Sequence, residues 1–264
     1  ANISGVDGEG VGAGSALNTD KLTLVSGASV TMTAAQNNSF DSTVTAAGNE
    51  TITLSDASTA SGIAEVESYV LAAGSQSFTL GASGQNVTLD STGSSGSVAI
   101  STGTLTSVTG TLDDGTGNDT IALTLATNDV DISAAGTTDV DSIVLASNVS
   151  ATMTIAQHAL ITSAASANTV TLSDAGTVTG NAAVESYVLA AAGSSAFTLG
   201  DDTQSVTTGG SGTDTIVVGT RTLTGTFTTV SGDTVSLDTG ANISGVDGEG
   251  VGAGSALNAD KLTL

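Results

Sequence analysis

Apolar residues recur along this chain on a beat of eight to ten residues. Val144, Met153, Ile161, Val170, Val178, Val188, Phe197 and Val206 mark it most clearly, and Gly, Ser, Asn and Asp fill the turns between them. Each mark sits in a short run of alternating apolar and polar residues, as in Thr51–Leu54, Ser68–Leu71, Thr169–Leu172 and Thr215–Val218. Period-two alternation sends successive side chains to opposite faces, which is the signal of a half-buried strand. Val170 and Leu172 are expected to point inward and Thr171 outward, with Ile52, Leu54 and Thr53 repeating the arrangement. No long helical pattern interrupts the beat. The best helix candidate, Ala182–Ala192, lies between Gly180 and Gly193 and reads as a strand with a bulge or loop.

Short strands on a nine-residue beat fit a parallel β-solenoid or a string of antiparallel sandwiches of about 120 residues. Hairpin-built sandwiches favour Asn-Gly turns and large core residues. This chain has no Asn-Gly and three Asp-Gly pairs, at Asp7, Asp114 and Asp247. Solenoid corners favour small residues, and Ser, Thr and Asn stack on their own kind between turns. The expected fold is therefore all-β, a parallel β-solenoid of the β-helix or β-roll type. There is no Cys, Pro or Trp, and aromatic residues are 2 % of the chain. That composition implies a thin core of Val, Leu, Ile and Ala. It also excludes a disulfide scaffold and a thiolate metal site.

The chain is internally repetitive at two levels. Residues 1–24 return at 241–264 with a single difference, Thr19 against Ala259, so the offset is 240 residues. Within that unit, Thr51–Ala73 matches Thr169–Ala191 at 17 of 23 positions, and Met32-Thr33 matches Met153-Thr154. The expected organisation is one tandem repeat at 1–240, made of two diverged halves (about 1–121 and 122–240), with 241–264 starting the next repeat. Such a chain is expected to partner itself, through tandem repeats or filament neighbours. With two strands per turn and nine residues per strand and corner, 240 residues would form about 13 turns, or roughly 60 Å; three strands per turn would give about 9 turns and roughly 43 Å.

Charge narrows the partners. There are 26 acidic and 3 basic residues, a net charge of −23. Such a chain repels nucleic-acid phosphates and anionic membrane surfaces. No apolar run approaches membrane-spanning length, so membrane insertion is not expected. The acids are mainly Asp in Gly-, Ser- and Thr-rich turns, where they keep a β-rich chain soluble and offer oxygen ligands to a hard divalent ion.

One motif stands out. Gly209-Gly210-Ser211-Gly212-Thr213-Asp214-Thr215-Ile216-Val217 fits G-G-x-G-x-D-x-U-x throughout, and Asp114-Gly115-Thr116-Gly117-Asn118-Asp119-Thr120-Ile121-Ala122 fits all but its first position. Both stretches resemble the calcium-binding nonapeptide of RTX proteins. The resemblance implies a parallel β-roll, calcium as the bound ion, and Gly209, Gly210, Gly212, Asp214, Asp114, Gly115, Gly117, Asn118 and Asp119 as the corner residues that hold it. The chain departs from the family in spacing, because RTX copies run in tandem and these two stand 95 residues apart. Weaker echoes keep only Asp-x-aliphatic, at Asp20, Asp141, Asp233 and Asp260. The alternative is a Gly-Asp corner closed by side-chain hydrogen bonds to the backbone. In style the chain also resembles giant bacterial surface proteins and S-layer-type solenoids.

Other chemistry is weaker. His158 is the only histidine, no G-x-S-x-G accompanies it, and it reads as a turn or surface residue matched by Asn37 in the other half. Glu67 and Glu185 occupy equivalent Val-Glu-Ser-Tyr stretches, and that equivalence favours a structural turn over paired glycosidase carboxylates. Gly8–Gly14 lacks the lysine and the βαβ setting of a nucleotide loop and reads as an inserted flexible or metal-lined loop, returning at Gly248–Gly254. The expectation is a non-enzymatic, calcium-stabilised structural repeat of an extracellular or cell-surface fibre, sheath or layer. The alternative is the stalk of a giant RTX-type adhesin that meets other cell-surface or matrix components. A polysaccharide-active β-helix enzyme is the weak third reading.

Overall fold

The computed structural model describes residues 1–3, 7–8, 12–13, 22–40, 44–72, 74, 76–90, 96–116, 119–242, 247–248, 252–253 and 261–263. The fold is an all-β parallel solenoid. The chain divides into two compact units, residues 1–127 with 134–144, and residues 128–133 with 145–264.

In the first unit the chain alternates between two parallel sheets. One holds Ser29–Met32, Thr51–Leu54, Ser68–Leu71, Asn86–Leu89 and Leu112–Asp113. The other holds Ala60–Ser61, Gln76–Thr79, Ser97–Ser101 and Thr120–Leu125. The second unit repeats the scheme. Val130–Asp131, Ser150–Met153, Thr169–Leu172, Ser186–Val188, Ser205–Thr207 and Phe227–Thr228 form one sheet. Thr177–Thr179, Ala196–Thr198, Thr215–Gly219, Thr234–Leu237 and Lys261–Thr263 belong to the other. Each turn thus carries two strands, and each strand pairs with the strand one turn earlier.

The turns are longer and less regular than a nine-residue beat requires. Partners one turn apart are 17 residues apart at Val170 and Tyr187, 19 at Phe197 and Ile216, 25 at Val87 and Leu112, and 27 at Val235 and Leu262. The strands keep their register while the corners absorb the extra residues, since surface corners tolerate insertions and ladders do not.

Parallel register puts like positions on top of each other. Val30, Ile52, Tyr69, Val87 and Leu112 form one inward column in the first unit. Ala151, Val170, Tyr187, Val206 and Phe227 form its counterpart in the second. Val178, Phe197, Ile216 and Val235 form another. Burying a side chain of Val or Leu size contributes about 1.5–3 kcal/mol, so every turn adds a similar increment. Val170, Leu172, Ile52 and Leu54 are buried, and Thr171 and Thr53 are partly exposed, as the alternation requires.

One expectation needs correction. The core does use its aromatics: Phe40, Tyr69, Phe78, Tyr187, Phe197 and Phe227 are all buried. Tyr69 packs on Phe78 at 4.9 Å between ring centroids and Tyr187 on Phe197 at 4.6 Å, the same pair in both units. Among the described residues there are also two short helical turns, α1 (Ala34–Asn38) and α2 (Ile155–His158), which leave the all-β reading intact. Each follows a strand directly and starts with a capping box, Thr33 with Gln36 and Thr154 with Gln157.

Candidate functional site

The full nonapeptide forms a corner of the second unit. A Cβ on Gly209 would stand 1.8 Å from the carbonyl oxygen of Ala190, one turn earlier. A Cβ on Gly212 would stand 1.9 Å from that of Gly193, and Gly212 has φ of +119°. Both positions therefore require glycine, the second for conformation as well as space. Gly210 meets only the Ala191 carbonyl oxygen at 3.8 Å. The motif's Gly spacing is thus explained at two of three positions by the close approach of the preceding turn.

Asp214 is buried at this corner. Its Oδ1 accepts the Ser195 N–H at 2.7 Å and its Oδ2 accepts the Gly209 N–H at 3.0 Å. Its own N–H donates to Asp233 Oδ1 at 2.8 Å. Asp233 is buried too, and its Oδ2 accepts from the Val230 N–H at 3.0 Å and from Thr208 Oγ1 at 2.5 Å. Ser195, Asp214 and Asp233 each precede a strand of the same sheet. They form a column in which each carboxylate receives a backbone N–H of the turn below and another from its own corner. Here the corner is closed by hydrogen bonds to the backbone.

The second nonapeptide lies in the first unit and is built differently. Asp119 is buried; its Oδ1 accepts the Gly96 N–H at 2.5 Å, while its Oδ2 is buried without a hydrogen-bond partner among the described residues. Asp113, Asp114 and Asp139 bring one carboxylate oxygen each within 4.8 Å of the others. Asp113 Oδ1 accepts the Gly115 N–H at 2.8 Å, and Asp141 Oδ2 accepts the Ile121 N–H at 2.8 Å. Burial first, then the charges of Asp139, Asp141, Asp113 and Asp119, push the Asp114 carboxyl above its ordinary pKa. Like charges so close favour either a proton or a cation. Three converging carboxylate oxygens suit a hard divalent ion, which takes oxygen ligands. Gly117, Asn118, Asp20 and Asp260 lie outside the described residues.

The remaining candidates resolve as corner and core. Glu67 Oε2 accepts the Glu50 N–H at 3.0 Å and Glu185 Oε2 accepts the Asn168 N–H at 2.8 Å, so both serve as struts between turns. The hydrogen bond from Glu50 holds the Glu67 carboxyl below the ordinary range. His158 is buried rather than on the surface, with Nε2 2.9 Å from Tyr187 Oη. That hydroxyl accepts the Asn181 N–H at 2.7 Å. In the other unit Tyr69 Oη donates to Asn37 Oδ1 at 3.1 Å and accepts the Ile63 N–H at 2.9 Å. His158 Nε2 thus stands where Asn37 supplies an acceptor. Asp7–Gly8 pairs antiparallel with Gly12–Ala13 as a small hairpin, and Asp247–Gly248 with Gly252–Ala253 in the same register.

Sequence reasoning missed Gln85 and Gln204. Both are buried. Gln204 Oε1 accepts the N–H groups of Gly200 at 2.7 Å and Asp201 at 3.2 Å. Its Nε2 donates to the carbonyls of Asn181 at 2.7 Å and Val184 at 2.9 Å. Gln85 makes matching bonds to Gly81, Ile63 and Val66. The signal was a glutamine four residues after the matched Gly81 and Gly200, in stretches that otherwise diverge.

No family model, no curated protein and no solved structure matches this chain.

Proposed function

We propose that this chain is a structural repeat of a long extracellular β-solenoid forming a fibre, sheath or surface layer, stabilised by calcium at the acidic corner of its first unit. The observation that carries this reading is the recurrence of residues 1–24 at 241–264 with the same hairpin register and a pairing strand in each place. The same hairpin register and a pairing strand among the described residues at both ends of a 240-residue interval support an array that propagates by repeating one ladder. The role is mechanical rather than catalytic: buried columns and backbone ladders supply stiffness, and the charge of −23 keeps the faces apart in water.

Calcium belongs to the corner where one oxygen each of Asp113, Asp114 and Asp139 converge, rather than to Asp214, whose two oxygens already receive backbone N–H groups. Imaging of the native assembly tests the structural reading. The chain makes about 10 turns, so the 240-residue repeat covers about 9, an axial repeat of about 44 Å at the strand spacing of about 4.8 Å. A filament or layer line at that spacing is expected. Separated beads without a strand-spacing reflection would refute it.

A further inference from the structure

Two corners that match in sequence finish their sheets differently. Thr33–Phe40 aligns with Thr154–Ile161, and Thr59–Ser61 with Thr177–Thr179. Ala60–Ser61 and Thr177–Thr179 are each the end strand of a sheet, and among the described residues each pairs only with the strand of the next turn. In a parallel ladder alternate residues turn their N–H and C=O to opposite sides. The Ala196 N–H donates to the Gly176 carbonyl at 2.9 Å and the Gly180 N–H to the Thr198 carbonyl at 2.8 Å, so Gly176, Val178 and Gly180 serve that pairing. The N–H and C=O groups of Thr177 and Thr179 are turned to the open edge. In the first unit the same edge is covered from within. Asn38 Nδ2 donates to the Thr59 carbonyl at 3.0 Å, and Asn38 Oδ1 accepts the Ser61 N–H at 3.1 Å. Asn37 Nδ2 donates to the Ser61 carbonyl at 2.8 Å and to Asn38 Oδ1 at 3.3 Å. One primary carboxamide thus satisfies a carbonyl and an N–H two residues apart on the strand.

In the second unit Ala159 stands in the place of Asn38 and His158 in that of Asn37. The Thr177 carbonyl and both backbone groups of Thr179 have no hydrogen-bond partner among the described residues. Where the amide is missing there is a groove of about 280 Å³, lined by Ile155, His158, Ala159, Thr177, Val178 and Thr179. His158 is only 5 % exposed, and it brings a donor. The Tyr187 hydroxyl accepts the Asn181 N–H, so its one hydrogen goes to His158 Nε2. The hydrogen of the neutral ring then sits on Nδ1, which has no partner among the described residues.

We propose that this groove binds a soluble small molecule carrying a primary carboxamide. The matching corner shows which chemical group satisfies the edge. The ligand's N–H meets the Thr177 carbonyl and its oxygen meets the Thr179 N–H, as Asn38 does at Thr59 and Ser61. Ile155 and Val178 face the carbon end of the ligand. A primary amide has an N–H and its C=O on one edge of the plane. A trans secondary amide has them on opposite edges and cannot make both bonds. A carboxylate has no donor for the Thr177 carbonyl, and the chain's charge of −23 opposes its approach. The groove is at the small end of ligand pockets, so the ligand is small and its affinity millimolar.

Propionamide is the probe, titrated into the full chain and followed by nuclear magnetic resonance. Saturable shifts of the Thr179 amide and the His158 ring are expected. N-methylpropionamide and propionate at the same concentrations should produce neither. Ala159→Asn supplies the carboxamide from within and should abolish the shifts while keeping the β circular dichroism. Asn38→Ala should open the matching edge of the first unit and add a saturable shift at the Ser61 amide. No saturable shift at Thr179 in the unsubstituted chain would overturn the proposal, as would equal shifts with N-methylpropionamide or undiminished binding to Ala159→Asn. Should Asn38→Ala fail to fold, the Ala159→Asn comparison decides alone. Self-association of the ligand-free chain, lost in Ala159→Asn, would give the groove to an asparagine or glutamine of a second copy and overturn the assignment to a small molecule.

Discussion

Replacing Gln204 by methionine should weaken the second unit by about 4 kcal/mol. Methionine keeps the length and flexibility of the side chain but removes every polar atom. Four bonds disappear together, from the N–H groups of Gly200 and Asp201 and to the carbonyls of Asn181 and Val184. A net hydrogen bond contributes about 1 kcal/mol, and a buried group left without a partner costs about 1–3 kcal/mol. Water reaches the partly exposed Asp201 and Asn181 and limits the loss there, so about 4 kcal/mol is the balanced figure. Gln204→Glu keeps the acceptor but turns an oxygen toward the two carbonyls, and should cost more than methionine does. Gln85→Met should lose about 3 kcal/mol, because its three bonds repeat three of the four. Urea unfolding gives the total, and native-state hydrogen exchange at the Gly200 amide gives the local opening. A loss below about 1 kcal/mol for Gln204→Met would refute the reasoning, since it would mean these groups find water without penalty.

Three further outcomes are expected. Val170→Asp should abolish folding, because it places an unpaired charge in a dry column, while Thr171→Asp should be tolerated; circular dichroism of the two proteins checks this, and equal tolerance would mean the register is misread. Calcium at 100 times its dissociation constant should stabilise the chain by about 2.7 kcal/mol, read as a higher melting midpoint than in chelator. Asp114→Asn with Asp139→Asn should remove that shift; Asp214→Asn should lower both midpoints and keep it, and identical midpoints for the unsubstituted chain would sink the calcium reading. Burial lowers the His158 pKa below its ordinary 6.5. The unfolded chain therefore takes up the proton first, and the histidine's contribution is full above the unfolded pKa and lost as pH falls through it. His158→Asn, copying Asn37, should flatten the stability profile between about pH 7 and 5, and an unchanged profile would count against the buried pair.

How much of this was legible depends on the range of the interaction. The inward set was readable because alternation is a local property: Ile52 and Leu54, or Val170 and Leu172, announce their face by neighbours two residues away. Turn length was not. The step from Val170 to Tyr187 and the step from Val235 to Leu262 differ by ten residues, and no local pattern says which strand a corner will lead back to. The helical turns escaped because four or five residues give no helical period. The capping boxes Thr33 to Gln36 and Thr154 to Gln157 were in plain sight, and their repetition was the usable signal. His158 was misplaced because a lone polar residue in a Ser- and Thr-rich chain carries no sign of a buried tyrosine hydroxyl waiting one turn later.

The two nonapeptides show why a motif alone underdetermines chemistry in a stacked fold. In both, the motif's aspartate faces back along the stack: Asp214 accepts the Ser195 N–H and Asp119 the Gly96 N–H. What differs lies partly a whole turn away. Above and below Asp214 stand Ser195 and Asp233, and the backbone N–H groups of Ser195 and Gly209 fill both of its oxygens. Asp113, Asp114 and Asp139 bring their carboxylates together, and one oxygen of Asp119 stays unfilled among the described residues. The same residue type is a hydrogen-bond strut in one place and part of a negative cluster in the other. Some of the deciding partners lie a turn away, Ser195 and Asp233 at 19 residues from Asp214 and Asp139 at 25 from Asp114, while Gly209 and Asp113 lie in the same corner. In a solenoid the unit that specifies a site is a column through consecutive turns. Both corners carry acids repeated at about the turn interval, Asp214 with Asp233 and Asp114 with Asp139; they differ in how many of the carboxylate oxygens are filled by backbone N–H groups.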